Sequence, residues 1–368
     1  MANGPARLYL LRGPKILNDV QTQRPHAAAP ASDPRLLQLC EWLERDLGFT
    51  GYGIAPASAD ASFRRYFRIT KPGESSLVVM DAPPGKEDVG PYMRVAGMLR
   101  DIGVNAPRIL ERSDAGFLLL TDLGSVMYLP ELGKAGQADA LYGDAFAALV
   151  RIQSRGAAHA PQLPPYDETL LRFEMSLFPD WLLQRHLGLS LSGREAAQLT
   201  RAMDALVANA FEQPQVFVHR DYHSRNLMVC AGNNPGILDF QDAVCGGLTY
   251  DLVSLLRDSY IAWPQERVVA WALQYRQLAL AEGIAAGRDD AQFLRWFDLM
   301  GLQRQLKVGG IFARLCHRDG KAGYLADIPR TLQYAVHACA RNTDFAELGV
   351  LIRDRVLPAV VAKLEDNS

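Results

Sequence analysis

Cysteine is scarce in this chain and arranged for neither stapling nor metal. The five residues, Cys40, Cys230, Cys245, Cys316 and Cys339, are odd in number, scattered and without a C-x-x-C pair. That excludes a disulfide framework and a cysteine zinc site, and it suits free thiols in a reducing cytoplasm. An excess of charge is also missing. With 39 Lys and Arg against 41 Asp and Glu, the net charge is −2, which gives no basis for an obligate nucleic-acid or anionic-membrane partner. No apolar stretch approaches the length of a bilayer span, and the compact run Leu8-Tyr9-Leu10-Leu11 is too short for a secretory h-region. Internal repeats and long low-complexity linkers are absent too. What remains is ordinary globular material: 368 residues, 49% of them hydrophobic, enough for a large core and two lobes.

Composition shifts along the chain. Residues 1–32, rich in Arg, Gln, Ala and Pro, read as a disordered extension or leader. Folded structure is expected from Asp33-Pro34, an N-cap followed by proline at the first helical position. Hairpin-like segments at 63–70 and 76–81 flank the turn Lys71-Pro72-Gly73-Glu74. A helix is expected over 91–102, ended by Gly103, with strands at 109–111 and 117–121. This gives a small sheet-plus-helix lobe over 33–123, for nucleotide. From 124 to 368 the pattern is mainly helical, giving a larger lobe for the catalytic loop, the metal site and the acceptor. The fold class is therefore α+β and two-lobed.

The chemistry concentrates at His219-Arg220-Asp221-Tyr222-His223-Ser224-Arg225-Asn226 and, after a hairpin, Asp239-Phe240. This is H-R-D-x-x-x-x-N followed by D-F, the spacing of protein-kinase-like phosphotransferases. A hydroxyl nucleophile needs a carboxylate to accept its proton, a role for Asp221. A triphosphate brings Mg²⁺, a hard cation for which Asn226 and Asp239 supply oxygen ligands. Apolar runs at 216–218, 227–229 and 236–238, with the turn formers of 231–235 between the last two, predict a hairpin that sets Asn226 near Asp239. The bland alternative makes Asp221 a turn residue and His219 a satisfied core histidine. A zinc site on His219 and His223 lacks the helix and adjacent Glu of a zincin.

Two segments are expected to serve the nucleotide. Residues 60–65, Asp-Ala-Ser-Phe-Arg-Arg, put small residues before two arginines, without G-x-G-x-x-G or a Walker A. Ser62 lets the backbone approach phosphate, and Arg64 or Arg65 adds a charged fork. Strand alternation points these arginines to opposite faces, with Arg64 favoured for the cleft. Thr121, Asp122 and Leu123 lie where a two-lobed kinase has its adenine-binding hinge, although the residues alone fit a buried strand running into a helix cap.

These residues resemble the aminoglycoside-phosphotransferase-like kinases. Within them the chain is similar to the bacterial cell-wall sugar kinases that phosphorylate the anomeric hydroxyl of N-acetylmuramate and N-acetylglucosamine. The resemblance runs from about Leu36 to Leu364. It is carried by the long strings at 60–68, 79–84, 118–124, 177–181, 239–243, 303–308, 311–315 and 318–321. It implies an ATP-dependent, Mg²⁺-requiring cytoplasmic sugar kinase of peptidoglycan recycling; no obligate protein partner is evident in the sequence. One departure stands out: where the strand 76–81 should carry a phosphate-binding lysine it has Met80 or Asp81, and the helix from Pro91 offers Tyr92 and Arg94 in place of a glutamate. Arg64 or Arg65 is expected to supply the missing charge. Acceptor candidates from the family strings and from sugar chemistry are Glu174, Asp180, Trp181, Arg185, Gln303, Arg304 and Lys307. Arg185, Arg304 and Lys307 are the candidates for the lactyl carboxylate of N-acetylmuramate. His219 and Asp251 are expected to support the loop. The alternatives are a kinase for another alcohol, aminoglycoside- or choline-like, and a nucleotide-binding scaffold without turnover.

Overall fold

The computed structural model describes residues 33–59 and 63–366; the expected N-terminal extension over 1–32 and Ser62 lie outside the described residues. The chain divides into two compact units, one ending at Thr50 and one beginning at Gly51. In the first, helix α1 (Pro34–Glu41) starts where the sequence predicts. The Asp33 carboxylate accepts the backbone N–H groups of Arg35 and Leu36, each at 3.1 Å, satisfying donors that a helix start leaves orphaned.

The second unit opens with an antiparallel five-stranded sheet in the order β1-β2-β3-β5-β4. Its strands are β1 (Gly53–Ala59), β2 (Arg65–Thr70), β3 (Leu77–Asp81), β4 (Ile109–Ser113) and β5 (Phe117–Thr121), with helix α2 (Gly90–Ile102) crossing between β3 and β4. Strand β1 was not legible in the sequence. It is an edge strand bulged at Pro56/Ser58, and edges are where a strand tolerates proline and needs little apolar patterning. Helix α2 ends as predicted at Gly103, whose φ of +84° makes it a left-handed cap that donates to Leu99 and Arg100.

Helices dominate the remainder: α3 (Tyr128–Leu132), α4 (Ala138–Arg155), α5 (Glu168–Leu177) with its wide continuation Phe178–His186, and α6 (Gly193–Glu212). Four short strands follow, β6 (Gln215–Val218), β7 (Leu227–Met228), β8 (Gly236–Ile237) and β9 (Val244–Gly247). They form two ribbons, β6 with β9 and β7 with β8. After them come α7 (Tyr250–Leu256), α8 (Gln265–Ala281), α9 (Asp290–Asp319), α10 (Ile328–Arg341), α11 (Ala346–Leu351) and α12 (Leu357–Asp366). A small sheet lobe with one crossover helix and a larger helical lobe make the two-lobed α+β architecture. No helix of the described residues is long and apolar enough to cross a membrane.

Helix α9 is the axle of the helical lobe. It is buried on nearly every face from Trp296 to Ala313, unlike a surface helix with a single apolar stripe. Its crossing with α5 depends on Gly310, where a Cβ would stand 2.3 Å from the Leu177 carbonyl carbon. Gln303, Arg304 and Lys307 of α9 are buried in the interior, with Lys307 beside Glu174 of α5.

Candidate active site

Strand β6 delivers the chain into the loop 219–226, which is clamped from below. The Asp251 carboxylate on α7 accepts the backbone N–H of His219 at 2.6 Å and of Arg220 at 3.0 Å. Arg220 takes φ = +76°, an uncommon conformation for a side chain of its size. Its guanidinium pairs with Glu174, so it is held at both ends. His219 is fully buried and its Nδ1 accepts the Asp221 N–H at 3.3 Å. Burial pulls the His219 imidazole down to about 4, so it stays neutral at physiological pH.

Burial pushes the Asp251 carboxyl up to about 7, against the lowering effect of its two backbone donors. The folded state therefore retains a proton that the unfolded chain, at 3.8, releases. This contribution to stability is full below the unfolded value and is lost as pH rises through about 7. Against Asp251→Asn, the wild-type stability advantage is expected to shrink by on the order of 3 kcal/mol between pH 4 and pH 8. Urea unfolding of both proteins across that range measures it; a gap independent of pH would show that Asp251 is ionised throughout.

The ends of the β7–β8 ribbon bring Asn226 and Asp239 together. Leu227 pairs with Ile237, and the Leu238 N–H donates to the Asn226 carbonyl at 2.9 Å. The Asn226 amide donates to the Asp221 carbonyl at 3.0 Å and reaches Asp239 Oδ2 at 3.5 Å. Asp239, at φ = +62°, also accepts Gln241 Nε2 at 2.9 Å on Oδ1, with Arg64 Nη2 3.5 Å from the same oxygen. A carboxylate and an amide oxygen on adjoining strand ends suit Mg²⁺, which is held by few protein ligands and completes its shell with phosphate and water. Burial alone would raise the Asp221 carboxyl, but nearby positive charge, led by Lys307, outweighs it and holds the group below its ordinary value. At neutral pH Asp221 is charged and able to accept a proton.

A cleft of about 560 Å³ runs from Tyr66, Arg68 and Val78 of the sheet, past Thr121, Asp122 and Leu123, to His223, Asn226 and Asp239. The Asp122 carboxylate is already engaged. It receives two N–H groups of Arg68 at 2.6 and 3.1 Å, the Ser76 hydroxyl at 2.7 Å and the Gly124 N–H at 2.9 Å. Burial opposes its ionisation, yet the Arg68 and Ser76 hydrogen bonds prevail and lower its pKa. The segment is thus fixed by the Asp122 side chain, by the Thr121 N–H donating to the Arg108 carbonyl at 3.0 Å and by the Cys230 thiol at the Leu123 carbonyl. The two loop arginines part company. Arg65 pairs with the fully buried Asp81 at 2.6 Å, across the β2–β3 register, so Asp81 carries an arginine where a lysine was expected. Arg64 lies beside Asp239. Tyr92 of α2 packs on Phe240 at 4.7 Å and lines the same cleft.

None of the seven acceptor candidates lines this cleft. Asp180 and Arg185 are exposed on the wide helical turn, with the Arg185 guanidinium 5.1 Å from the Trp181 ring centre. Glu174, Gln303, Arg304 and Lys307 are buried. Lys307 Nζ lies 2.9 Å from both Glu174 and the Tyr250 hydroxyl. Glu174 also contacts Arg220 and the Tyr166 hydroxyl, and Gln303 reaches that hydroxyl at 3.4 Å. Sequence reasoning missed the cleft residues Arg68, Arg225, Tyr260 and Tyr324. Opposite charges at Arg68 and Asp122 were a weak signal; the two tyrosines sit in stretches without any motif.

Residues 53–297 match the phosphotransferase enzyme family. The N-acetylmuramate/N-acetylglucosamine kinase of Pseudomonas aeruginosa is 50% identical over 333 residues, covering 88% of this chain and 97% of that protein. The protein of the same name from Pseudomonas putida is 46% identical over 336 residues, covering 88% and 98%. Among solved structures, the ethanolamine kinase of Plasmodium vivax superposes with a TM-score of 0.59 at 9% identity, over 84% of this chain and 91% of that one, a likeness of fold alone.

Proposed function

This chain belongs to the phosphotransferase enzyme family, and from that premise we propose that it transfers the γ-phosphate of ATP to the anomeric hydroxyl of N-acetylmuramate and N-acetylglucosamine. The observation that carries this reading is 50% identity spanning 97% of a relative bearing that name, joined to a loop that keeps Asp221, Asn226 and Asp239 together. The products are the sugar 1-phosphates, and the setting is recycling of cell-wall sugars in the cytoplasm.

In this scheme Asp221 receives the anomeric O–H proton as the sugar oxygen bonds to the γ-phosphorus. The bond from phosphorus to the β-bridging oxygen breaks, and ADP departs with that electron pair. Such transfers have a loose transition state, so positioning and charge contribute most of the rate. Asn226 and Asp239 are the residues that would hold Mg²⁺, which when bound neutralises charge on the phosphoryl oxygens. Arg64, beside Asp239, takes the place of the missing lysine, while Arg65 is committed to Asp81. Thr121 to Leu123 present backbone to adenine. Glu174 and Lys307 act from beneath the loop, through Arg220 and the charge environment of Asp221.

Phosphorus NMR of the protein with MgATP and each sugar tests the reading. A new phosphate resonance coupled to the anomeric proton is expected with both. Absence of transfer to either sugar, or transfer to kanamycin or choline instead, would overturn it.

A further inference from the structure

Beyond Asn226 the cleft continues to Arg225, Tyr260 and Tyr324, none of which the scheme above uses. The Arg225 guanidinium lies 4.6 Å from the Tyr260 ring centre, and among the described residues no carboxylate forms an ion pair with it. The nearby acids are engaged elsewhere. Asp258, almost fully buried, accepts the Ser224 N–H and hydroxyl through Oδ2 and the Tyr260 N–H at 3.0 Å through Oδ1. Asp327 pairs with Arg330 at 3.0 Å. One carboxylate thus fixes the residue before Arg225 and the backbone of Tyr260. The rings are backed as well: Phe312 lies 6.5 Å from Tyr260 and stacks on Tyr324 at 5.4 Å. An exposed arginine with no anionic partner among the described residues, lining a cleft against one supported aromatic ring and sharing that cleft with a second, is a receptor for a carboxylate attached to an apolar surface.

We infer that Arg225, Tyr260 and Tyr324 form the acceptor subsite. The rings receive the apolar face of the pyranose, and the guanidinium pairs with the lactyl carboxylate that N-acetylmuramate carries and N-acetylglucosamine lacks. This rests on the sugar-kinase reading above. It replaces Arg185, Arg304 and Lys307 as the carboxylate partner, since Lys307 is already neutralised by Glu174 and Arg185 lies outside the cleft.

The test is kcat/KM for both sugars, measured on the same preparations of wild type, Arg225→Ala and Arg225→Lys. Arg225→Ala is expected to lower the ratio of N-acetylmuramate to N-acetylglucosamine efficiency by roughly 10- to 100-fold, the worth of one charged hydrogen-bonded contact. Arg225→Lys should recover part of it. Any general loss of folded protein cancels in the ratio. An unchanged ratio overturns the subsite, as does an unchanged ratio with a raised KM for ATP, which would assign Arg225 to the nucleotide. Wild-type protein that phosphorylates neither sugar overturns the sugar-kinase reading itself, and the subsite with it.

Discussion

Asp221→Asn is expected to lower kcat by about 10²–10⁴-fold, the usual contribution of a positioned general base, while the affinity for nucleotide changes by no more than about twofold. The substitution is nearly isosteric, and the contacts that place residue 221 belong to its backbone. Its N–H meets His219 Nδ1 at 3.3 Å and its carbonyl accepts the Asn226 amide at 3.0 Å. What disappears is the charged oxygen pair that the scheme assigns to take the proton. Because nearby positive charge holds this carboxyl below its ordinary value, the wild-type base is already ionised at pH 6, and the loss should be uniform from pH 6 to 8. Steady-state rates with ADP release as the readout, together with calorimetric nucleotide binding, decide the matter. An Asn variant within tenfold of wild type would reduce Asp221 to an orienting residue.

The parts of this site that were legible in the sequence are those in which chemistry constrains neighbours in the chain. Asp221, Asn226 and Asp239 lie within one loop and one ribbon, so residue type, spacing and the turn formers of 231–235 were enough to bring them together. Asp33-Pro34 and Gly103 were equally readable, because helix caps are local. Register was not local. That Arg65 faces Asp81 follows from the β2–β3 pairing, which no alternation rule specifies. The buried support of the loop and the far end of the cleft were least legible. Glu174, Arg220 and Lys307 meet because α5 and α9 cross closely at Gly310, and Tyr260 and Tyr324 reach the cleft from two separate connections, one between α7 and α8 and the other between α9 and α10. Polar residues in family-like strings read as ligand contacts, yet spacing carries no information on depth, and Glu174, Gln303 and Lys307 lie in the interior, where buried polar groups find one another.

That buried cluster leads to the largest expected effect on stability. Glu174→Ala should destabilise the protein by about 3–5 kcal/mol, because it leaves the charges of Arg220 and Lys307 buried without their anion. In the native state burial alone would raise the Glu174 carboxyl, and Lys307 first and Arg220 second overcome it to lower its pKa. Lys307 is correspondingly kept charged despite burial, by Tyr250 and Glu174. The three groups therefore stand or fall together, and their effects should not add. The double variant Glu174→Ala/Lys307→Met removes one orphaned cation and is expected to recover at least about 1 kcal/mol of the single-variant loss. Urea unfolding of the single and double variants measures the coupling. Catalysis should report the same cluster. With Glu174 gone, Arg220, whose backbone sits at φ = +76°, loses the ion-pair partner that anchors its side chain, and kcat should fall more than KM for either substrate rises. A loss of stability below about 1 kcal/mol, with kcat intact, would mean that water supports Arg220 and Lys307 and that the catalytic loop is held by Asp251 alone.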